Sequence, residues 1–458
     1  MKKKNVGKGR KTQAIVMAQI EANAAGIDVG ATEMYVAVPP DRDEDNVRCF
    51  PNFTADLNRL ADWLKRCRIE TVAMESTGVY WIPLFQILEE RGFRVCLVNA
   101  RHVKNVPGRK TDVLDCQWLQ YLHSVGLLKA SYRPAQQICA MRSIWRHRDN
   151  QVRMAARHVQ HMQKALDQMN LQLHHVISDL TGKTGMAIVD AILKGERDPG
   201  KLADLRHGQI KASRETIMQS LIGDYRSEHL FVLRQALEAY RQYQQRIEGC
   251  DREIEQRLRA MEGKGDNNTA PSTKQSKKRQ KPKGNEPRFE LTGHLTRVFG
   301  VDLTQVPGIS SLTAQVFLSE VGPDLSRFPN AGAFASWLGL CPNNRISGGR
   351  LLSSHIPNVT NRLNIALRMA AQSLHGSRSY LGDFYRRTKS RTSGTEAIVT
   401  MAHKLARILY RLVTTRQSYD ESVFIELEQR NTQRRINSIK KQAAALGLQI
   451  VEPQPCVP

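Results

Sequence analysis

The chain has 458 residues, enough for about two to four domains. Lysine and arginine outnumber aspartate and glutamate by 68 to 44, a formal charge of +24, and the pI near 9.9 suits a polyanionic partner, DNA or RNA ahead of a membrane surface. The eight cysteines are scattered, with no pair at Cys-x-x-Cys spacing, and the sequence has no apolar run of about 18 residues and no signal-length apolar stretch behind Met1 and its three lysines; this argues against a disulfide framework, a cysteine zinc site and a membrane span, and the expected location is the cytoplasm.

Residues 1–20 read as a basic tail, with Lys2, Lys3, Lys4, Lys8, Arg10 and Lys11 and no acid before Glu21, of the kind that nucleic acid orders. From Ala25 onward strand-like and helix-like segments alternate. "GIDVGATEMYVAV", a helix over 54–66, the apolar run "TVAM", a helix around 79–91 and "FRVCLV" predict an α/β domain over 21–130. It closes with a helix starting near Thr111, which can cap the helical pattern of "DVLDCQWLQYLHSVGLL".

Residues 136–175 and 213–260 are almost free of proline and glycine and rich in Gln, Arg, Leu and Ala at helical spacing. They predict two long antiparallel helices, a coiled-coil-like middle domain over 131–261 with a helical insertion at about 178–212. Residues 262–288 form a polar, basic, low-complexity linker; residues 289–415 form a mostly α C-terminal domain, and 416–458 a charged tail.

Several carboxylates stand out against this basic background. Asp28 interrupts an apolar strand, with Gly30 leaving room for close approach; it calls for a charged partner or a metal, or else caps a strand-end turn. Glu75 ends the second buried strand, at the carboxyl end where open sheets build their sites, or else is a helix-start acid favoured by the macrodipole. Asp112 and Asp115, at i and i+3, share one helical face and need a cation, either a metal or Arg109 and Lys110 in an exposed cluster. Taken together, four carboxylates from two strands and a following helix can converge on hard divalent ions, and two such ions at a phosphodiester can stabilise the attacking and leaving oxygens.

In the last domain "LTQVPGISSLTAQVFLSEVG" reads as helix, Pro307-Gly308-Ile309 hairpin and helix. It resembles a helix-hairpin-helix module whose second helix start meets a DNA phosphate; the alternative is an ordinary tight turn between helices. "GLCPNNRISGGR" sets Ser347 before Gly348 and Gly349 and between Arg345 and Arg350, a hydroxyl open to a phosphate that the arginines would hold, or a plain turn serine. The "GKT" at 182–184 lacks the P-loop glycine that position 177, an isoleucine, would have to supply, so nucleotide binding there is rejected. Arg386, Arg387, Lys389, Arg391, Lys404 and Arg407 divide between nucleic-acid contacts and the solvated face of a core helix.

In combination "GIDVGAT", "AMESTGVYW", "VNARHVKNVPGRKTDVLDCQWLQYLHSVGLL", "VPGISSLTAQVFLSEVG" and "GLCPNNRISGG" resemble the IS110 family of transposases, the bridge-RNA-guided recombinases, over nearly the whole chain. "TGKTGMAIVDAILKGERDPGKLADLR" points to its IS1111 group. The resemblance implies a RuvC-like (RNase H fold) N-terminal domain with an Asp-Glu-Asp-Asp set, here Asp28, Glu75, Asp112 and Asp115. It also implies magnesium or manganese as the ion, a coiled-coil middle, and a C-terminal transposase domain with a nucleophilic serine, here Ser347. As partners it implies an element-encoded guide RNA that pairs with donor and target DNA, and a dimer of dimers. Arg109, Lys110, Gly308, Arg345, Gly348, Gly349 and Arg350 are the expected nucleic-acid contacts. After Ser347 the sequence continues "GRLLSSHIPNVTNRL", where many relatives have a Lys-x-Gly-Asn stretch, so Ser353 and Ser354 remain rival nucleophiles.

Overall fold

The apolar runs fold as a five-stranded mixed sheet, seen in a computed structural model that describes residues 18–99, 112–263, 284–357 and 361–448. The chain divides into two compact units, Met1–Arg133 and Pro134–Pro458. Residues 1–17 of the basic tail, 264–283 of the linker, and both Arg109 and Lys110 lie outside the described residues.

In the first unit β1 (Ala24–Val29), β2 (Glu33–Ala37) and β3 (Val47–Pro51) form an antiparallel meander, and β4 (Thr71–Glu75) and β5 (Arg94–Val98) add in parallel on the other side of β1. The strand order is β3-β2-β1-β4-β5. One face is covered by α1 (Thr54–Arg66) and α2 (Trp81–Glu90), which contribute Leu60, Trp63, Leu64, Leu84 and Leu88 to a core with Ile27, Met34, Val36, Val72 and Met74. The opposite face is covered by α3 (Asp112–Ser124), where Leu119 packs on Ala73 and Val98. Burial on both faces explains why β4 reads as an unbroken apolar run. Order, direction and helix placement make this an RNase H-like unit.

The second unit opens with the antiparallel pair α4 (Gln136–Gln168) and α9 (Ser227–Ala260). Between them a lobe of α5 (Leu173–Val176), α6 (Lys183–Leu193), α7 (Pro199–Asp204) and α8 (Arg214–Ser220) closes over Leu166, Met169, Leu171, Ile188, Leu202 and Ile217. Both long helices are shorter than their sequence patterns predict. At Asn170 the backbone turns left-handed, with φ 53°, and ends α4. Gly223 then lies against the end of that helix, where a Cβ would sit 2.3 Å from the Met169 carbonyl oxygen. The chain must cross there, so Arg214–Ser220 form the separate helix α8 and α9 starts only at Ser227.

Arg148 and Asp251, both buried, form an ion pair that joins α4 to α9. The C-terminal part packs as α10 (Leu291–Phe299), a 3-10 turn (Leu303–Gln305), α11 (Ser311–Glu320), α12 (Ala331–Trp337), α13 (Arg362–Ser373), α14 (Tyr380–Lys389) and α15 (Gly394–Thr415), around the rings of Phe299, Phe317, Phe328, Phe334 and Tyr410. A small hairpin of β6 (Arg345–Ser347) and β7 (Arg350–Ser353) precedes α13. Arg146 grips Glu320 through Nε at 3.0 Å and Nη2 at 2.7 Å, fixing α11 to α4. Residues 422–445 of the charged tail form a further helix, α16 (Ser422–Ala445). Among the described residues no helix is long and apolar enough to cross a membrane.

Candidate active site

The orientation of α3 on the sheet is set by four contacts. A Cβ on Gly26 would sit 2.2 Å from the Gln120 amide nitrogen and 2.3 Å from the Cys116 carbonyl oxygen, so the helix backbone lies directly on β1. Gln120 Nε2 donates to the Ala24 carbonyl at 3.2 Å. The buried His123 Nε2 lies 2.8 Å from Thr71 Oγ1, at the first residue of β4. The Ser124 carbonyl accepts from the Ile20 and Glu21 amides at 2.8 and 2.9 Å. With its last turn held over the starts of β1 and β4, the helix directs its first turn, which carries Asp112 and Asp115, toward the carboxyl ends of those strands.

Those ends carry the other two acids. Side chains alternate along a strand, so Asp28 shares the face of Gly26, the face that α3 covers. Glu75 shares the face of Ala73, which packs on Leu119 of α3. Ile27 and Met74 are the last pair of the parallel register, and Asp28 and Glu75 are the residues that follow them on their strands. Ser76 donates to the Val98 carbonyl through both its amide, at 2.9 Å, and its hydroxyl, at 3.0 Å, which fixes the exit from β4. Glu75 is therefore the last strand residue and not a helix-start acid, since α2 begins only at Trp81. Its Oε1 accepts from Thr77 Oγ1 at 3.2 Å.

Cys116 is buried where α3 lies on β1, close enough to Asp28 to feel its charge. Burial first, then the negative charges of Asp28 and Asp115, push its thiol up to about 12. One thiol thus feels both a β1 acid and an α3 acid. Asp112 is the first residue of α3. Asp28, Glu75 and Asp115 carry carboxylate oxygens, the ligands hard divalent ions prefer, but among the described residues these oxygens do not come together at metal-ligand spacing; the bare Gly26 is what lets the backbone of α3 lie on β1.

The predicted serine lies in the second unit. Gly348 at φ 54° and Gly349 at φ 76° make the two-residue turn with positive φ at both positions that a tight hairpin requires, and Ser347 pairs across it with Arg350. Ser347, both glycines and Arg350 are all exposed. Ser353 is half-buried and its Oγ accepts the His355 amide at 3.3 Å, whereas Ser354 is exposed just beyond β7. Arg345 opens β6.

Other expected contacts have structural occupations. Gly308, at φ 88°, packs where a Cβ would meet the Ala370 carbonyl oxygen at 2.9 Å, and only a 3-10 turn precedes it in place of the first helix of the expected module. At the start of α11 Ser311 Oγ donates to Glu286 Oε1 at 3.0 Å, so a carboxylate already stands where a phosphate was expected. Arg386 donates to the His375 and Ser377 carbonyls at 3.0 and 2.6 Å, and the Lys404 ammonium lies over the Tyr380 and Phe384 rings. Gly182 caps α6 and Thr184 Oγ1 accepts the His207 amide at 2.9 Å, which gives "GKT" a helix-start role. At Gly30, where the sequence predicts close approach, a Cβ would meet the Glu33 carbonyl oxygen at 2.6 Å within the β1–β2 turn. The close approach belongs to Gly26, which sequence reasoning passed over; a glycine inside an apolar strand was the available signal.

A direct check uses the buried thiol. In the native protein at pH 8, Cys116 is expected to resist alkylation; in Gly26→Val, α3 should lift, Cys116 should become labelled, and stability should fall by about 1–3 kcal/mol or more. Equal labelling of Cys116 in both proteins would contradict this seating of α3.

Residues 25–171 match the family model for IS110 DEDD transposase domains, described as transposase, and residues 302–386 match one described as transposase IS116/IS110/IS902 family. An uncharacterised 43.6 kDa protein of the insertion element IS110 from Streptomyces coelicolor is 30% identical over 120 residues, covering 26% of this chain and 29% of that protein. A putative transposase of Sinorhizobium fredii is 28% identical over 131 residues, 26% of this chain and 32% of that protein. The match thus spans less than a third of either curated relative. With an N-terminal DEDD domain and a C-terminal transposase domain in this order, together covering half of its length, the chain belongs to the IS110 family of transposases.

Proposed function

We propose that the protein is an RNA-guided DNA recombinase of an insertion sequence, of the IS1111 group, that cuts and exchanges strands through a covalent serine–DNA intermediate. The observation that supports the catalytic reading is that Asp28 and Glu75 lie toward the carboxyl ends of the neighbouring parallel strands β1 and β4, on the face that α3 covers. Asp28, Glu75, Asp112 and Asp115 would hold magnesium or manganese, and such an ion supplies charge neutralisation and polarisation of a scissile phosphate.

The exposed Ser347 hydroxyl is the nucleophile in this reading. Its Oγ forms the bond to phosphorus, the bond from phosphorus to the DNA leaving oxygen breaks, and the serine proton ends on that oxygen as a free hydroxyl. Attack by the hydroxyl of another strand reverses the step and rejoins DNA without hydrolysis or external energy. Arg350, paired with Ser347 across the turn, and Arg345, at the start of β6, hold the phosphate. Arg109 and Lys110, just before Asp112 in the sequence, serve the same role. Serine and acids of different protomers in a dimer of dimers would complete one site.

Guidance by RNA is supported by the net charge of +24, which suits two polyanions at once. Protein contacts then serve backbone and shape while base pairing selects sequence.

Ser347→Ala is expected to abolish the protein–DNA adduct trapped under denaturing conditions and to cut strand exchange about 1000-fold or more. An intact adduct would move the nucleophile to Ser353 or Ser354. Strand cleavage by the unaltered protein with no adduct at all would instead favour a water-using, metal-dependent nuclease. Sequencing the RNA that copurifies with the protein should return one structured species with loops complementary to the element ends and a target; random cellular RNA would overturn the guidance.

A further inference from the structure

We propose that Asp167, His174 and His175 form a second metal site, for zinc or another imidazole-preferring divalent ion, at the turn between α4 and α5. The turn is built by the backbone. Asn170 takes the left-handed conformation at φ 53°, its amide donates to the Asp167 carbonyl at 2.9 Å, and the Leu171 amide reaches back to the Leu166 carbonyl at 2.8 Å. The Gln172 amide then donates to the Ser220 carbonyl at 2.8 Å, which anchors the returning chain to the lobe. The two histidines of α5 are carried back over the last turn of α4.

His174 Nε2 and His175 Nε2 lie 3.5 and 3.8 Å from the same oxygen, Asp167 Oδ1. One ligand atom from each of the three residues lies within 4.8 Å of the others, and among the described residues this is the one such group of three or more His, Cys, Asp or Glu side chains. A tetrahedral ion at about 2.0–2.1 Å from nitrogen and oxygen ligands spaces those ligands by roughly 3.3–3.5 Å. The observed separations are close to that spacing and, for His175, too long for a hydrogen bond. Three ligand atoms thus lie around one point, and the contacts of both imidazoles with the carboxylate are long.

The second observation is the state of His174. Its side chain is only 10% exposed, and its Nδ1 is buried with no hydrogen-bond partner. Such burial costs free energy, and a solvated His–Asp pair returns little of it. A metal bond at Nε2 would offset that cost. Exposed Asp167 and His175 leave the fourth position open to water. Two imidazoles and one carboxylate differ in preference from the all-carboxylate set in the first unit: imidazole favours zinc, nickel, copper or cobalt over magnesium. Leu166, Met169, Leu171 and Leu173 are buried in the same turn, so an ion here would tie the end of α4 to the lobe core.

The test uses the full chain, stripped with a chelator and without DNA, so that it is independent of the catalytic reading. Zinc is titrated calorimetrically in excess magnesium, which occupies the carboxylate set, against the unaltered protein, His175→Ala and Asp167→Asn. Both substitutions are at exposed positions, and circular dichroism checks that each variant folds. The unaltered protein is expected to bind one more equivalent of zinc than either variant, or to bind it at least 10-fold more tightly, and to gain thermal stability from zinc that the variants do not. Equal zinc stoichiometry, affinity and thermal shift in all three proteins would overturn the site.

Discussion

The absence of one side chain, at Gly26, governs the arrangement of the acids. Without a Cβ there, the backbone of α3 rests on β1, with Gln120 and Cys116 at a distance that any other residue would forbid. The contact works together with the hydrogen bonds of Gln120 to Ala24 and of His123 to Thr71, which fix the direction of the helix as well as its height. A helix set down in the other direction would carry Asp112 and Asp115 to the amino ends of the strands, away from Asp28 and Glu75. The acidic corner is thus a consequence of packing, held in place by apolar contacts such as Leu119 on Ala73 and Val98.

The second unit divides rigidity and openness differently. The buried pair of Arg148 with Asp251 and the half-buried pair of Arg146 with Glu320 pin α4 to α9 and to α11, and a buried charged pair specifies how helices pair as much as how firmly. Against that frame the hairpin of β6 and β7 is small and exposes Ile346, Leu351 and Leu352. A two-stranded hairpin is marginal alone. In the proposed reaction it would take its working position from the nucleic acid and protein it meets, whereas Asp28 and Glu75 belong to strands of a doubly covered sheet.

Much of the first unit was legible because its signals are local. "TVAM" and "FRVCLV" are short apolar runs that only a doubly covered strand uses, and Thr54–Arg66 has the periodicity of a one-faced helix. Glu75 was ambiguous, because the distinction between a strand end and a helix start rests on the bonds of Ser76 to Val98, 22 residues away. The long helices were overextended for a similar reason. Residues 213–260 and 136–175 carry a helical pattern throughout, and the crossing of Gly223 against Met169 that interrupts it is tertiary. The helix-hairpin-helix expectation at Gly308 met the same difficulty: its positive φ was foreseeable, but its packing on Ala370 and the carboxylate of Glu286 at the next helix start were not. The pairing of Asp167 with His174 and His175 spans a turn whose geometry depends on Asn170 and on Ser220 in a separate helix, so adjacent histidines in "LQLHHV" gave little notice of it.

The central claim is that acids from β1, β4 and α3 share one divalent ion. Iron-directed cleavage tests it most directly: ferrous ion replaces magnesium in the full chain, ascorbate and peroxide generate radicals at the bound metal, and the backbone breaks are mapped by mass spectrometry. The account predicts cuts clustered near residues 28, 75 and 112–115 together, all suppressed by excess magnesium and all lost in Asp28→Asn. Cuts at one of these segments without the others, or cuts at these segments that are indifferent to magnesium, would contradict it; cuts around residues 167–175 would belong to the histidine site.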